Sequence, residues 1–287
     1  MRAFVVNPGA LRCPAHFADT LRRRFPGDTV LATEAPGDGG RQARRALEEG
    51  SRTLVACGGD GTFREVASAA GGRATLGFVP LGTVNLLALE LGIPTEPAEA
   101  FRVIEAERPA EIYGGQCLVE GEPESRLFFI GVSAGPDADA VHAVGRKKRL
   151  LGRYAYALRF LTRLVRPVAA GIRADWGEGE RQFGEVLLLR SPHYGGRYRV
   201  SERLDLRRPG LEVLGVGAGR ASVARLFWDA GRSRVGDAPG RIRREVNRVR
   251  LCVPDPGRCQ IDGDALTASR LTLWADREPL RVLTGPL

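Results

Sequence analysis

Short apolar runs alternate with amphipathic stretches through the first third of the chain. Ala3–Val6 is an apolar run that predicts a strand. Ala15–Phe25 spaces Phe17, Leu21 and Phe25 as one helical face, with arginines opposite. Val30–Thr33 predicts a second strand, and Arg41–Glu49 a helix ended by Gly50. Thr53–Cys57 reads as a third strand, Phe63–Ala70 as a helix stopped by Gly71-Gly72, and Leu76–Pro80 as a fourth strand. Strands separated by helices of this length predict a parallel sheet with crossover helices. Such sheets bind ligands at the carboxyl ends of their strands.

Beyond Pro109 the pattern changes. Ile112–Val119, Leu127–Val132, Glu185–Leu189, Leu211–Val216, Val249–Val253 and Leu271–Ala275 are strand-like, and only Val141–Leu164 and Ala221–Trp228 have helical spacing. The expected architecture is therefore α/β plus β. Residues 1–109 form a parallel-sheet α/β domain and 110–278 a β-rich domain. A last strand within 279–287, at Leu280–Leu283, returns to the first domain. No internal repeat or low-complexity linker interrupts this pattern.

Composition narrows the class. The chain has 287 residues, 43% of them hydrophobic and 27% charged, which is ordinary for a globular protein with ample core. The formal charge is +9, and Lys147 and Lys148 are the only lysines among 43 basic residues. A basic surface favours acidic partners such as nucleotides, nucleic acid or anionic membrane. With 7% aromatic residues there is little for base stacking, so no specific nucleic-acid partner is expected. The five cysteines, at 13, 57, 117, 252 and 259, show no metal spacing and predict free thiols in a reducing cytoplasm. The opening Met1–Pro8 reads as a strand and not as a signal peptide. No run approaches the ~18 apolar residues of a membrane span.

Three loops carry candidate chemistry. Gly58-Gly59-Asp60-Gly61-Thr62 follows the third strand directly. Its glycines let the backbone turn and approach a ligand closely, and its N–H groups can cradle an anion. Asp60 would repel phosphate, so its expected work is with a metal ion, a water or a proton. The loop is not a Walker motif, because no lysine follows the glycines. Gly215-x-Gly217-x-Gly219 misses dinucleotide spacing and is treated as a loop. Pro80-Leu81-Gly82-Thr83-Val84-Asn85 ends the fourth strand and would face the same crevice, Thr83 and Asn85 offering a hydroxyl and an amide. Ile261-Asp262-Gly263-Asp264 carries a hairpin signal, and one of its carboxylates could face the crevice to accept a hydroxyl proton. Arg146–Arg166 spaces Leu150, Leu151, Tyr154, Leu158, Leu161 and Val165 against five arginines. That is the pattern of a solvated basic helix or of one lying on an anionic membrane. Ser133, His142 and His193 form no readable triad or metal cluster.

In this order the motifs resemble the diacylglycerol kinase catalytic-domain family, which includes soluble bacterial lipid kinases and sphingosine kinases. Asn7-Pro8, Thr33, Gly58–Thr62 with Glu65-Val66, and Pro80–Asn85 with Leu91-Gly92-Ile93-Pro94 carry the likeness. So do Ser133-x-Gly135-x-Asp137, Leu151-Gly152-Arg153-Tyr154 and Asp262-Gly263-Asp264. The resemblance implies a Rossmann-like nucleotide domain, a β-sandwich lipid domain and an active cleft between them. It implies ATP with Mg²⁺ as cofactors, a lipid hydroxyl as acceptor, and a cytoplasmic enzyme that can sit at the inner membrane surface. ATP would be held by Asn7, Thr33, Gly58, Gly59, Asp60, Gly61, Thr62, Phe63, Arg64, Glu65, Gly82, Thr83 and Asn85. Asp264 would be the base, with Asp262 beside it and Asp60 organising magnesium and water. A homodimer stays open.

The chain departs from the family at four places. Asp264 replaces the usual Glu, which draws the carboxylate back by one methylene. Arg64 replaces Asn, and Leu86 stands where Asp often follows Asn85. Arg208-Pro209-Gly210 lies where many bacterial members have an Asp-Asp-Gly turn that binds a structural Mg²⁺, so that ion is not expected. These departures keep a catalytically weak nucleotide- or lipid-binding module as the rival reading. An NAD kinase, which shares the glycine loop, is a second.

Overall fold

The structure is a computed structural model that describes residues 1–144, 171–196, 198–232, 235–236 and 238–285. Its contacts divide the chain into two compact units, Met1–Tyr113 with Glu278–Leu287, and Gly114–Arg277. Among the described residues no helix is long and apolar enough to cross a membrane.

In the first unit, β1 (Arg2–Val6), β2 (Thr29–Ala32), β3 (Thr53–Gly58), β4 (Thr75–Pro80), β5 (Pro109–Ile112) and β20 (Leu280–Leu283) make one sheet, in the order β2-β1-β3-β4-β20-β5. β1 to β4 are parallel, and β20 runs parallel to β4 and antiparallel to β5. The central strands are buried on both faces, as parallel strands covered by helices must be. The helices are α1 (Phe17–Arg24), α2 (Asp38–Glu48), α3 (Asp60–Ala70), α4 (Leu86–Glu90) and α5 (Pro97–Ala106). α1 buries Phe17 and Leu21. Phe25, just past its end, stacks on Phe4 with centroids 4.8 Å apart. On α3, Phe63 lies 5.2 Å from the ring of Phe78 in β4.

The second unit carries two antiparallel six-stranded sheets. The first contains β6 (Gly115–Val119), β7 (Arg126–Phe128), β9 (Ile172–Asp175), β10 (Arg181–Phe183), β16 (Arg248–Cys252) and β19 (Arg270–Ala275), ordered β10-β9-β16-β19-β6-β7. The second contains β8 (Gly131–Ala134), β11 (Glu185–Leu189), β14 (Leu211–Val216), β15 (Arg241–Val246), β17 (Arg258–Ile261) and β18 (Asp264–Thr267), ordered β15-β14-β11-β8-β17-β18. Alternate residues of both sheets, among them Cys117, Phe128, Val132, Val186, Val213, Leu251 and Leu273, share one buried core. That arrangement is a sandwich. Among the described residues of the unit are also two helices, α6 (Pro136–Val144) and α7 (Arg220–Gly231), and a small hairpin of β12 (His193–Tyr194) and β13 (Tyr198–Arg199).

Two expected strands divide in the structure. Ile112–Val119 breaks between β5 and β6, which belong to different sheets. A Cβ on Gly114 would stand 2.5 Å from Leu127 Cδ1, and one on Gly115 would enter the Phe128 ring. Leu127–Val132 breaks between β7 and β8, where the chain crosses from one sheet of the sandwich to the other. The expected helix Val141–Leu164 is described only to Val144. The Arg146–Arg166 and Leu151–Tyr154 segments lie outside the described residues.

Candidate functional site

Three strand ends meet in the first unit. β1, β3 and β4 are neighbours and parallel, so the segments leaving them emerge on one edge. The Asn7 N–H donates to Cys57 O at 2.8 Å, Leu81 N–H to Gly58 O at 2.6 Å, and Arg12 N–H to Leu81 O at 3.0 Å. The glycine loop and the Pro80–Asn85 loop touch backbone to backbone. A Cβ on Gly82 would lie 2.7 Å from Gly59 Cα, and one on Gly58 would lie 2.7 Å from Thr62 Cβ. Glycine is required at 58 and 82 for this close approach, although neither has a positive φ. The Asn7 amide donates to Thr62 Oγ1 at 3.2 Å and accepts from Gly9 N–H at 2.9 Å. Thr33, just past β2, places its N–H on Val6 O at 2.8 Å. Gly59, Asp60 and Gly61 are half-buried, and Thr83 is exposed.

The structure gives several expected ligand-binding side chains internal work. The Asp60 carboxylate accepts the N–H groups of Leu86 (2.9 Å) and Leu87 (3.2 Å), which clamps the first turn of α4 to the glycine loop. Glu65 accepts the N–H groups of Gly37 and Gly39 at 3.0 Å each, at the start of α2. Both carboxylates near the start of α3 thus cap neighbouring helices. Asn85 adopts a left-handed conformation (φ 53°) and closes its loop through two 3.0 Å bonds to Gly82. Its amide shapes the loop instead of projecting from it. Phe63 is core, 1% exposed, so only its backbone is available to a ligand. Arg64 is half-buried on α3.

In the second unit, Asp262 and Gly263 form the two-residue turn between β17 and β18, both with positive φ (49° and 83°). This is the geometry favoured by Asp-Gly hairpins. The Asp262 carboxylate accepts three backbone N–H groups, from Phe129 (2.9 Å), Ile130 (2.9 Å) and Gly131 (3.0 Å). These lie where the chain crosses between the two sheets, so Asp262 anchors the fold at that crossing. Asp264 opens β18 and is exposed.

Next to this turn lies a polar cluster that the motifs disclose only in part. The Ser133 and Tyr194 hydroxyls both donate to Asp137 Oδ2 at 2.6 Å, and Asp137 N–H donates to Glu185 Oε2 at 3.1 Å. Burial raises the pKa of Asp137, opposed by those two hydroxyl bonds, and pushes that of Glu185 well up. Tyr194 is also raised, by burial and by Asp137, so it stays a hydrogen-bond donor. Gly135 is needed here, since a Cβ would come 2.8 Å from Glu185 Oε2. His142 bridges the carbonyls of Cys259 (2.9 Å) and Leu266 (3.0 Å), a structural role as expected.

Neither place at which the family suggests a metal offers an open ligand set. At residues 205–208, the guanidinium of fully buried Arg190 already takes the carbonyl oxygens of Asp205, Leu206 and Arg208. A structural Mg²⁺ does not fit there. At the glycine loop both Asp60 oxygens are engaged by α4. Among the described residues no group of three metal-ligating side chains occurs.

The diacylglycerol kinase catalytic domain model matches residues 6–117. A diacylglycerol kinase of Staphylococcus saprophyticus subsp. saprophyticus is 34% identical over 167 residues, 56% of this chain and 52% of that protein. A Pseudomonas aeruginosa protein named "Probable lipid kinase YegS-like" is 40% identical over 165 residues, with the same coverage. The chain spans about half the length of the curated relatives it matches. A crystal structure of a diacylglycerol kinase from Bacillus anthracis str. Sterne superposes with a TM-score of 0.73 at 16% identity, covering 99% of this chain and 97% of that one. A second structure from that organism reaches 0.80 at 17%, covering 99% and 95%. These two establish the likeness of fold. Residues 6–117, the part that matches the diacylglycerol kinase catalytic domain, hold all three strand-end loops.

Proposed function

We propose that this chain is an ATP-dependent lipid kinase acting on the hydroxyl of a diacylglycerol- or sphingoid-like lipid. One observation carries the nucleotide half of the reading: the backbone-to-backbone contact of Gly59 with Gly82, which sets two strand-end loops side by side. Loops of this kind hold phosphates through N–H groups and a helix N-terminus, here that of α3. The family match over these residues supports it, as do relatives named for lipid phosphorylation. Thr33, Thr62, Thr83 and the backbone of residues 58–63 would contact ATP. Asn7, Asn85, Asp60 and Glu65 would fix the loops' shape.

Asp264 would accept the hydroxyl proton as the lipid oxygen bonds to the γ-phosphorus. The bond from that phosphorus to the β–γ bridging oxygen breaks, and ADP leaves. Mg²⁺ arriving with ATP would neutralise phosphate charge, and no residue of this chain is assigned to it. Purified protein given ATP, Mg²⁺ and a panel of diacylglycerols and sphingoid bases should form a phosphorylated lipid. Binding of ATP without any lipid product would favour the weak binding module, and NADP⁺ formation an NAD kinase.

Gly82→Ala tests the loop contact. The new methyl would meet Gly59 Cα, which is backbone and cannot rotate away. A loss of about 1–3 kcal/mol in stability is expected, with ATP affinity falling at least tenfold in a calorimetric titration. Unchanged ATP affinity would detach the loop contact from nucleotide binding.

A further inference from the structure

Ser133 and Gln260 are direct cross-strand partners on β8 and β17, so their side chains leave the same face of the sheet. Their neighbours Val132, Ala134, Cys259 and Ile261 belong to the sandwich core, so this is the opposite face. There Gly263 N–H donates to Gln260 Oε1 at 2.7 Å, and Gln260 Nε2 donates to the Tyr194 hydroxyl at 2.6 Å. The hydroxyl in turn donates to Asp137. Every donor points the same way, from the turn to the half-buried Asp137 carboxylate. Gln260 is 2% exposed and Tyr194 8%.

We propose that Tyr194 and Gln260 are positioning residues, tying the Asp262-Gly263 turn to Asp137 and so fixing where Asp264 presents its carboxylate. The proposal rests on the reading of Asp264 as the base. The turn is held from two sides by different means. Asp262 grips Phe129–Gly131, which fixes the turn's first residue. Gln260 grips Gly263, the residue next to Asp264. A buried amide with both ends engaged has one orientation, and its far end is set by Tyr194. Tyr194 belongs to the separate β12–β13 hairpin, so that hairpin orders the turn from outside the sheet. An oriented chain ending on a carboxylate is mutually strengthened, so removing one member loosens the rest.

Tyr194→Phe and Gln260→Met test this. Gly263 amide exchange, followed by NMR, should accelerate at least tenfold in each variant. The amides of Phe129, Ile130 and Gly131, held by Asp262, should keep wild-type rates. With ATP·Mg²⁺ and dioctanoylglycerol micelles, kcat should fall about ten- to hundred-fold while KM for both substrates stays within about twofold. The double variant should be no slower than the slower single one, as for residues acting in one chain. Unchanged Gly263 exchange, or equal acceleration at residues 129–131, would overturn the proposal. Asp264→Asn is the reference. Its loss of activity beside a fully active Tyr194→Phe sinks the positioning role alone, whereas a fully active Asp264→Asn sinks the reading beneath it.

Discussion

Arg190→Met is expected to be the most destabilising single change in the second unit. The guanidinium is fully buried just past β11. It donates to Asp205 O at 3.1 and 3.2 Å, Leu206 O at 3.0 Å and Arg208 O at 2.5 Å. Methionine preserves much of the volume and supplies no donor, so the Leu206 and Arg208 carbonyls lose the guanidinium, while Asp205 O keeps the Arg208 N–H at 3.1 Å. Each unsatisfied buried acceptor costs about 1–3 kcal/mol, and a total on the order of 3–5 kcal/mol should appear in urea unfolding. Arg190→Lys should recover only part of that, because an ammonium is a point donor and cannot fork across several oxygens. A guanidinium also cannot be deprotonated or chelated. EDTA should therefore leave the wild-type unfolding midpoint where it is. A fall in EDTA, or an Arg190→Met variant as stable as wild type, would refute this account of the 205–208 segment.

Legibility from sequence follows the distance over which each feature is made. β3 with its glycine loop, and β4 with Pro80–Asn85, place strand and loop next to each other in the chain, so both were readable. Their meeting was inferable from parallel topology alone. The partners of the carboxylates were not. Asp60 reaches α4, Glu65 reaches α2 and Asp262 reaches residues 129–131, all far away in sequence and unmarked by local spacing. The strand breaks at 113–114 and 129–130 were hidden for another reason. Apolar residues continue across both because each side is buried, though in different sheets. β15 was missed because Arg241, Arg243 and Arg244 interrupt any apolar run. Its inner arginines are instead paired, Arg243 with buried Glu212 at 2.5 Å and Arg241 with Asp229 at 2.9 Å. The cluster of Tyr194, Gln260 and Glu185 has no motif, since a hairpin and two strands supply one residue each.

The two aspartates of one turn should separate folding from chemistry. Asp262→Ala orphans three backbone N–H groups at the sheet crossing, so its effect belongs to stability. Asp264 is exposed, and Asp264→Asn should shift unfolding by no more than about 0.5 kcal/mol. If Asp264 is the base, the same change should lower kcat for lipid phosphorylation by about 10²–10⁴-fold, the usual contribution of a positioned proton acceptor. Asp264→Glu discriminates further. The backbone of the turn is fixed by Asp262 and by Gly263, so an added methylene moves the carboxylate rather than the chain. A displacement of about 1 Å can cost on the order of 10²-fold in rate, and kcat should fall if the site is built around the shorter acid. A large gain would mean that the site has drifted from a longer one, and would favour the weak binding module. An Asp264→Asn variant with wild-type kcat would remove this carboxylate from the chemistry. The base would then have to be sought outside the turn, because Asp262 is already committed to the backbone of residues 129–131.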